Sequence, residues 1–157
     1  VVLSVMGVHD SIEMDEEELT GFLARGGTGV LSFSTELEEP PYSLPVSYGY
    51  DELQGQFYFR LAFPADSGKD GVFENPVSFV THGQTNDGWQ SAVATGTLEE
   101  ISDMEYDTSA VQGMWTVEIP LVDIFERPTR EVTFRYFRLE PDELSGRKEA
   151  EPTSNGQ

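Results

Sequence analysis

Arg60 is followed seven residues later by Ser67-Gly68-Lys69-Asp70-Gly71, which sets one cation on an extended segment and another on the loop after it. A glycine-containing loop that opens a helix presents unpaired backbone N–H groups and a partial positive charge to whatever approaches it. With Lys69 added, the stretch reads as a phosphate site, although it lacks the Gly-Lys-Ser/Thr ending of a P-loop. Rarity strengthens that reading, because the chain has only two lysines, Lys69 and Lys148. Taken alone, Lys69 reads as readily as a solvated lysine on a helix. A second stretch, Leu44-Pro45-Val46-Ser47-Tyr48, alternates apolar with small and hydroxyl side chains. One face of such a strand can bed a planar ring, with Ser47 and main-chain groups as hydrogen-bond partners; an ordinary solvent-facing strand has the same pattern. The third stretch is Gly88-Trp89-Gln90-Ser91, where Trp89 can cover a ring edge and Gln90 or Ser91 can meet its polar rim.

Other chemistries are excluded or thin. There is no cysteine, so thiolate metal sites, disulfides and Cys nucleophiles are absent. His9 and His82 lie far apart and make no zinc site unaided. No Gly-x-Ser-x-Gly elbow occurs. The acidic residues are too numerous for any two to be singled out as an acid–base pair, and Gly146-Arg147-Lys148 reads as part of a loose terminus. A net charge of −20, from 29 acidic against 9 basic residues, repels phosphate backbones and anionic membranes, so neither nucleic acid nor lipid is an expected partner. The absence of an apolar run long enough to span a bilayer, and of a basic, cleavable leader, predicts a cytoplasmic protein. An acidic, lysine-poor composition of this kind matches extreme halophiles, whose proteins work where salt screens like charges to a few ångströms.

The elements that must position these residues are short. Asp15 and Glu18 form a capping box, Met14 and Leu19 a hydrophobic staple, and Leu19, Phe22 and Leu23 the buried stripe of a helix ended by Gly26-Gly27. The period then changes to two. Strands are predicted over residues 28–35, 42–50, 57–63, 77–82, 89–98 and 131–139. On the second, Tyr42, Leu44, Val46 and Tyr48 share one face, and Ser43, Pro45 and Ser47 the other; Pro45 predicts an edge or an irregularity there. Short helices are predicted over 67–75 and from the Ser102-Asp103-Met104-Glu105 capping box. These elements imply a mainly β, α+β domain over residues 1–148: a six-stranded antiparallel barrel with about three flanking helices, followed by a loose tail over 149–157.

Five pieces in order, Tyr-Ser-Leu-Pro-Val-Ser-Tyr-Gly-Tyr-Asp, Phe-Tyr-Phe-Arg, Ser-Gly-Lys, Glu-Asn-Pro-Val-Ser-Phe-Val and Trp-Gln-Ser-Ala-Val-Ala-Thr-Gly-Thr-Leu-Glu-Glu, resemble the pyridoxamine 5′-phosphate oxidase-related, FMN-binding split-barrel family. The resemblance spans about residues 15–145. It implies a split barrel that forms a homodimer with FMN at the subunit interface. It would set Ser67, Gly68 and Lys69 at the FMN phosphate with Arg60 near it, and Pro45, Val46, Ser47 and Tyr48 along the isoalloxazine ring. Gln90 or Ser91 would reach the ring from the fifth strand beside Trp89; charge alone, not the resemblance, suggests that Arg127 and Arg130 approach from the partner. It also implies a flavin-dependent oxidoreductase in which no side chain need act as acid or base. A flavin carrier or sensor, or a barrel holding deazaflavin or haem, is the alternative. The family's Gly-Arg-Lys or Ser-Arg-Lys triplet is Ser-Gly-Lys here, and its Arg-x-His-x-x-Arg substrate pattern is missing from residues 127–138, which argues against the vitamin phosphate as substrate.

Overall fold

A computed structural model describes residues 11–64, 70–101 and 132–150 of the 157. The chain runs β1 (Ser11–Glu13), α1 (Glu16–Ala24), β2 (Gly27–Phe33), β3 (Tyr42–Asp51), β4 (Gln56–Pro64), a 3₁₀ turn (Asp70–Glu74), β5 (Val77–Thr85), β6 (Gly88–Gly96), β7 (Leu98–Glu100), β8 (Val132–Leu139) and β9 (Glu143–Glu149). Every strand pairing is antiparallel, in the order β1-β9-β6-β5-β2-β3-β4-β8-β7.

The helix starts as its sequence dictates. Asp15 Oδ1 accepts from Glu18 N at 2.8 Å, and Glu18 Oε1 accepts from Asp15 N at 3.3 Å. At the other end, Gly26 takes φ +66°, a conformation that non-glycine residues rarely adopt, and its N–H donates to the Leu23 carbonyl. Replacing Asp15 by Ala strips this cap. The expected result is a loss of about 1 kcal/mol, read as a lower denaturant midpoint at unchanged slope.

Inward side chains of the central strands form one core. Phe57, Phe59 and Phe79 are fully buried, and Phe79 meets Phe57 and Phe59 at centroid distances of 5.4 and 4.9 Å although β2 and β3 lie between their strands. The sheet is therefore curled, with β4 and β5 facing each other across its interior. Phe73, from the 3₁₀ turn, bridges Phe33 on β2 and Phe137 on β8 in the same way, at 4.9 and 5.7 Å. Two glycines make room for this closeness. A Cβ at Gly29 would lie 2.5 Å from the Phe79 ring, and one at Gly146 would lie 2.6 Å from both Leu19 Cδ1 and Met14 Cε. The second clearance lets α1 dock against β9, where the Met14 N–H donates to the Gly146 carbonyl and Lys148 pairs with Glu18.

The architecture is the expected mainly β class, with nine strands among the described residues in place of six. Three short additions account for the difference. β1 and β7 have three residues each, too few to show a period, and β9 hides its alternation in a polar stretch. Gly146-Arg147-Lys148 thus belongs to an ordered strand between β6 and β1, not to a loose terminus, and residues 131–139 do not form the last strand. Pro45 sits where β3 has β2 alone as a neighbour, since β4 pairs with β3 only from Ser47 onward. That meets the expectation of a local edge. The helix expected from 102, the start of that expected over 67–75, and residues 151–157 of the expected tail lie outside the described residues.

Candidate functional site

The outward face of the curled sheet carries three rows of side chains set by strand register. The middle row runs Pro45, Val30, Val80, Val93 and Ser145 across β3, β2, β5, β6 and β9. Its three valines are 41, 37 and 36% exposed, high for apolar residues standing side by side. On one side runs a row of hydroxyls, Ser43, Ser32, Ser78 and Thr95, ending at Glu143. Ser32 and Ser43 Oγ atoms lie 2.8 Å apart. On the other side, Tyr136, Arg60, Ser47 and Thr28 stand in cross-strand register on β8, β4, β3 and β2, and His82, Ser91 and Arg147 on β5, β6 and β9. Between β3 and β6 the middle row and the hydroxyl row are built of small side chains, which leaves room for a planar group or a second protein surface.

Its electrostatics are unusual for this chain. β2, β5 and β6 contain no Asp or Glu, and β3 contains only Asp51. That carboxylate is buried and accepts from the Leu53 and Gln54 N–H groups of the following turn. In a chain with 29 acidic residues, this stretch of the face repels an anion little.

Three of the described cations are paired with carboxylates. Arg135 makes a two-pronged contact with Glu100 at 2.8 and 2.6 Å, Arg138 meets Glu99 at 2.8 Å, and Lys148 meets Glu18. Arg60 differs. Its guanidinium lies 4.9 Å from the centroid of the Phe134 ring, and it has no carboxylate partner among the described residues. An arginine held flat on an aromatic face keeps its edge N–H groups free for an oxyanion. Phe134 and Tyr136 were not readable as site residues, because their place beside Arg60 depends on the pairing of β4 with β8, about 75 residues apart in sequence.

The residues singled out from sequence divide between the two faces. Pro45, Ser47 and Arg60 share the outward side by register, although Ser47 is itself buried at 7% exposure. Val46 and Tyr48 point into the core, 5 and 2% exposed, and can offer only main-chain groups outward. Burial pushes the Tyr48 phenol up, more than its hydrogen bond to Thr81 and the positive charge of Arg25 bring it down. Gln90 is also inward and buried, whereas Trp89 and Ser91 are outward, with Trp89 at 6.0 Å from His82. Trp89 and Ser91 belong to β6, four strand positions from the Arg60 strand and thus about 19 Å away along the sheet at ~4.8 Å per strand. Ser67, Gly68, Lys69, Arg127, Arg130 and His9 lie outside the described residues. Among the described residues there is no cluster of three metal-ligating side chains, and no helix is long and apolar enough to cross a membrane.

A family model described as pyridoxamine 5′-phosphate oxidase matches residues 15–148. No curated protein matches the sequence. Among solved structures, the fold is similar to a putative pyridoxamine 5′-phosphate oxidase of Corynebacterium glutamicum, with 19% identity, 87% of this chain and 96% of that one covered, and a TM-score of 0.62. It is also similar to an FAD-binding protein of Mycobacterium smegmatis (12% identity, 87% and 98% covered, TM-score 0.61). A third, an FAD-binding protein of Mesorhizobium loti, shares 20% identity, with 90% and 98% covered and a TM-score of 0.59.

Proposed function

Since the chain belongs to the pyridoxamine 5′-phosphate oxidase family, we propose that it binds a flavin, FMN, on the outer face of β2, β3, β5 and β6, whose exposed side chains include no carboxylate, and works as a flavin-dependent oxidoreductase. The observation that carries this reading is Arg60, stacked on Phe134 without a carboxylate partner among the described residues, at the margin of a face of small side chains. The residues present fit the group. Pro45 offers the tricycle an apolar contact and the Ser47 backbone lies beside it, and Arg60 meets the phosphate together with Lys69, which lies outside the described residues. When bound, a flavin supplies hydride and electron transfer; the chain's own side chains bind it, orient it and keep carboxylates away from its ring.

A second copy of the chain completes the site in this reading. Trp89 and Ser91 are too far from Arg60 along one sheet to touch the same ring, so they serve the flavin anchored by the partner. The row of Val30, Val80 and Val93 covers itself against that copy, which is where two chains of charge −20 meet with least repulsion.

The test is a titration of flavin-free protein with FMN in molar KCl. Wild-type protein is expected to bind and turn yellow, and Arg60→Gln and Lys69→Ala are each expected to weaken binding about tenfold or more, the worth of one charge-assisted contact. Unchanged affinity in both variants would place the anchor elsewhere. Reduction of the bound flavin by a nicotinamide donor separates the oxidoreductase from a flavin carrier.

A further inference from the structure

The segment 88–100 changes neighbours at Gly96. Up to that residue β6 pairs with β5, ending at Val77 opposite Gly96, and with β9, ending at Glu143 opposite Thr95. Two residues on, Leu98 of β7 pairs with Leu139 of β8 instead. β5 cannot carry its ladder back past this point, because Pro76 before it has no N–H. A Cβ at Gly96 would lie 2.9 Å from Leu139 Cδ1 and 3.2 Å from the Glu140 carbonyl, so glycine lets the segment cross close to the β8–β9 turn. Where the sheet parts, a cleft of about 530 Å³ opens, with the exposed Pro41 and Pro76 in its lining. That volume lies within the roughly 300–1,000 Å³ typical of small-molecule sites.

Three hydroxyl-bearing residues line this cleft in cross-strand register, Ser32 on β2, Ser78 on β5 and Thr95 on β6. Their chain neighbours Phe33, Val77 and Ala94 are buried in the core, so strand alternation turns the three hydroxyls outward. Ser32 and Ser43 share a hydrogen bond, whereas the Ser78 and Thr95 hydroxyls have no hydrogen-bond partner among the described residues. Each can donate and accept, and adjacent strands set them ~4.8 Å apart. No Lys, Arg or His lines the cleft. Acids crowd the connections on either side, Glu36, Glu38 and Glu39 before Pro41, and Glu140, Asp142 and Glu143 around the β8–β9 turn. An anion is repelled there and finds no cationic anchor. The groups that stand in register are hydroxyls rather than carboxylates, which suits a neutral ligand over a cation. We propose that this cleft binds a small neutral molecule with several hydroxyl groups, of monosaccharide size, through Ser78 and Thr95. It lies across the valine row from Arg60, shares no residue with the flavin site argued above, and stands if that assignment fails.

Flavin-free protein is titrated with glucose, with myo-inositol and, in a third arm, with glucose 6-phosphate, in molar KCl, where long-range forces are screened and contacts decide. Backbone amide NMR signals of Ser78, Thr95 and Thr97 are followed. The expected result is saturable shifts of all three with at least one neutral probe, and weaker binding of glucose 6-phosphate, whose charge finds no partner in the cleft. Ser78→Ala and Thr95→Val should each weaken the apparent Kd roughly fivefold, the worth of one neutral hydrogen bond. Both side chains are half-buried on the outer face, so the variants are expected to fold, and circular dichroism checks that they do. Hydroxyls that are merely hydrated would give no saturable shift with either neutral probe, and that result would overturn the proposal. So would folded variants that both bind as tightly as wild type, or glucose 6-phosphate binding as tightly as glucose.

Discussion

Val80→Asp is expected to split the proposed dimer and release the proposed flavin while leaving the protomer folded. Val80 is 37% exposed in the single chain, flanked across the strands by Val30 and Val93, so an aspartate there stays solvated and changes protomer stability little. In a dimer with two-fold symmetry the substitution appears twice, and each carboxylate enters a desolvated apolar row. Like charges brought together at an interface cost several kcal/mol, and about 4 kcal/mol corresponds to roughly a thousandfold weaker association. Val80→Thr, which adds a hydroxyl but no charge, should weaken association far less. The check is sedimentation of wild type and both variants in molar KCl, where general repulsion between the two acidic chains is already screened. A Val80→Asp variant that remains dimeric and yellow would mean that the valine row lies outside the interface.

Phe57→Ala is expected to produce the largest loss of stability. The ring is fully buried and packs against Tyr50, Phe79, Tyr48 and Phe59 at centroid distances of 4.8, 5.4, 6.0 and 6.2 Å. These neighbours come from β3, β4 and β5 and meet only because the sheet curls, so none can collapse into the space without uncurling it. Truncations of this kind cost about 3–5 kcal/mol, which for a chain of this length lowers Tm by roughly 6–20 °C. Thermal unfolding followed by circular dichroism measures it. A loss below about 1 kcal/mol would contradict a core in which β4 and β5 face each other.

What sequence revealed and what it did not follows from the range of each signal. The Asp15–Glu18 capping box and the strands with apolar residues at every second position depend on neighbours a few residues away, and they form where their residues predict. β9 escaped notice because its inward positions are Leu144, Gly146 and Lys148, only one of them apolar. Gly146 is small because α1 lies on it, and Lys148 is paired with Glu18, reasons that exist only once helix and strand are in place. The site shows the same division. Arg60 was identifiable as a cation on a strand, and the hydroxyls at Ser47 and Ser91 were visible, whereas Phe134 and Tyr136 depend on long-range pairing. The alternation of residues 42–48 already placed Val46 and Tyr48 on the face opposite Pro45 and Ser47. Assigning four consecutive residues to one ring spread them over both sides of the sheet. The missing acids on β2, β5 and β6 were equally open to view, and their meaning emerged only when register joined those strands into one face.

Sedimentation of the FMN-loaded protein in molar KCl, followed in the flavin's visible band, tests the central claim most directly. The account predicts that the colour moves with a species of twice 17.5 kDa and at one flavin per chain. Colour that sediments with a single chain, or that separates from the protein altogether, would contradict a flavin site shared between the sheet faces of two chains.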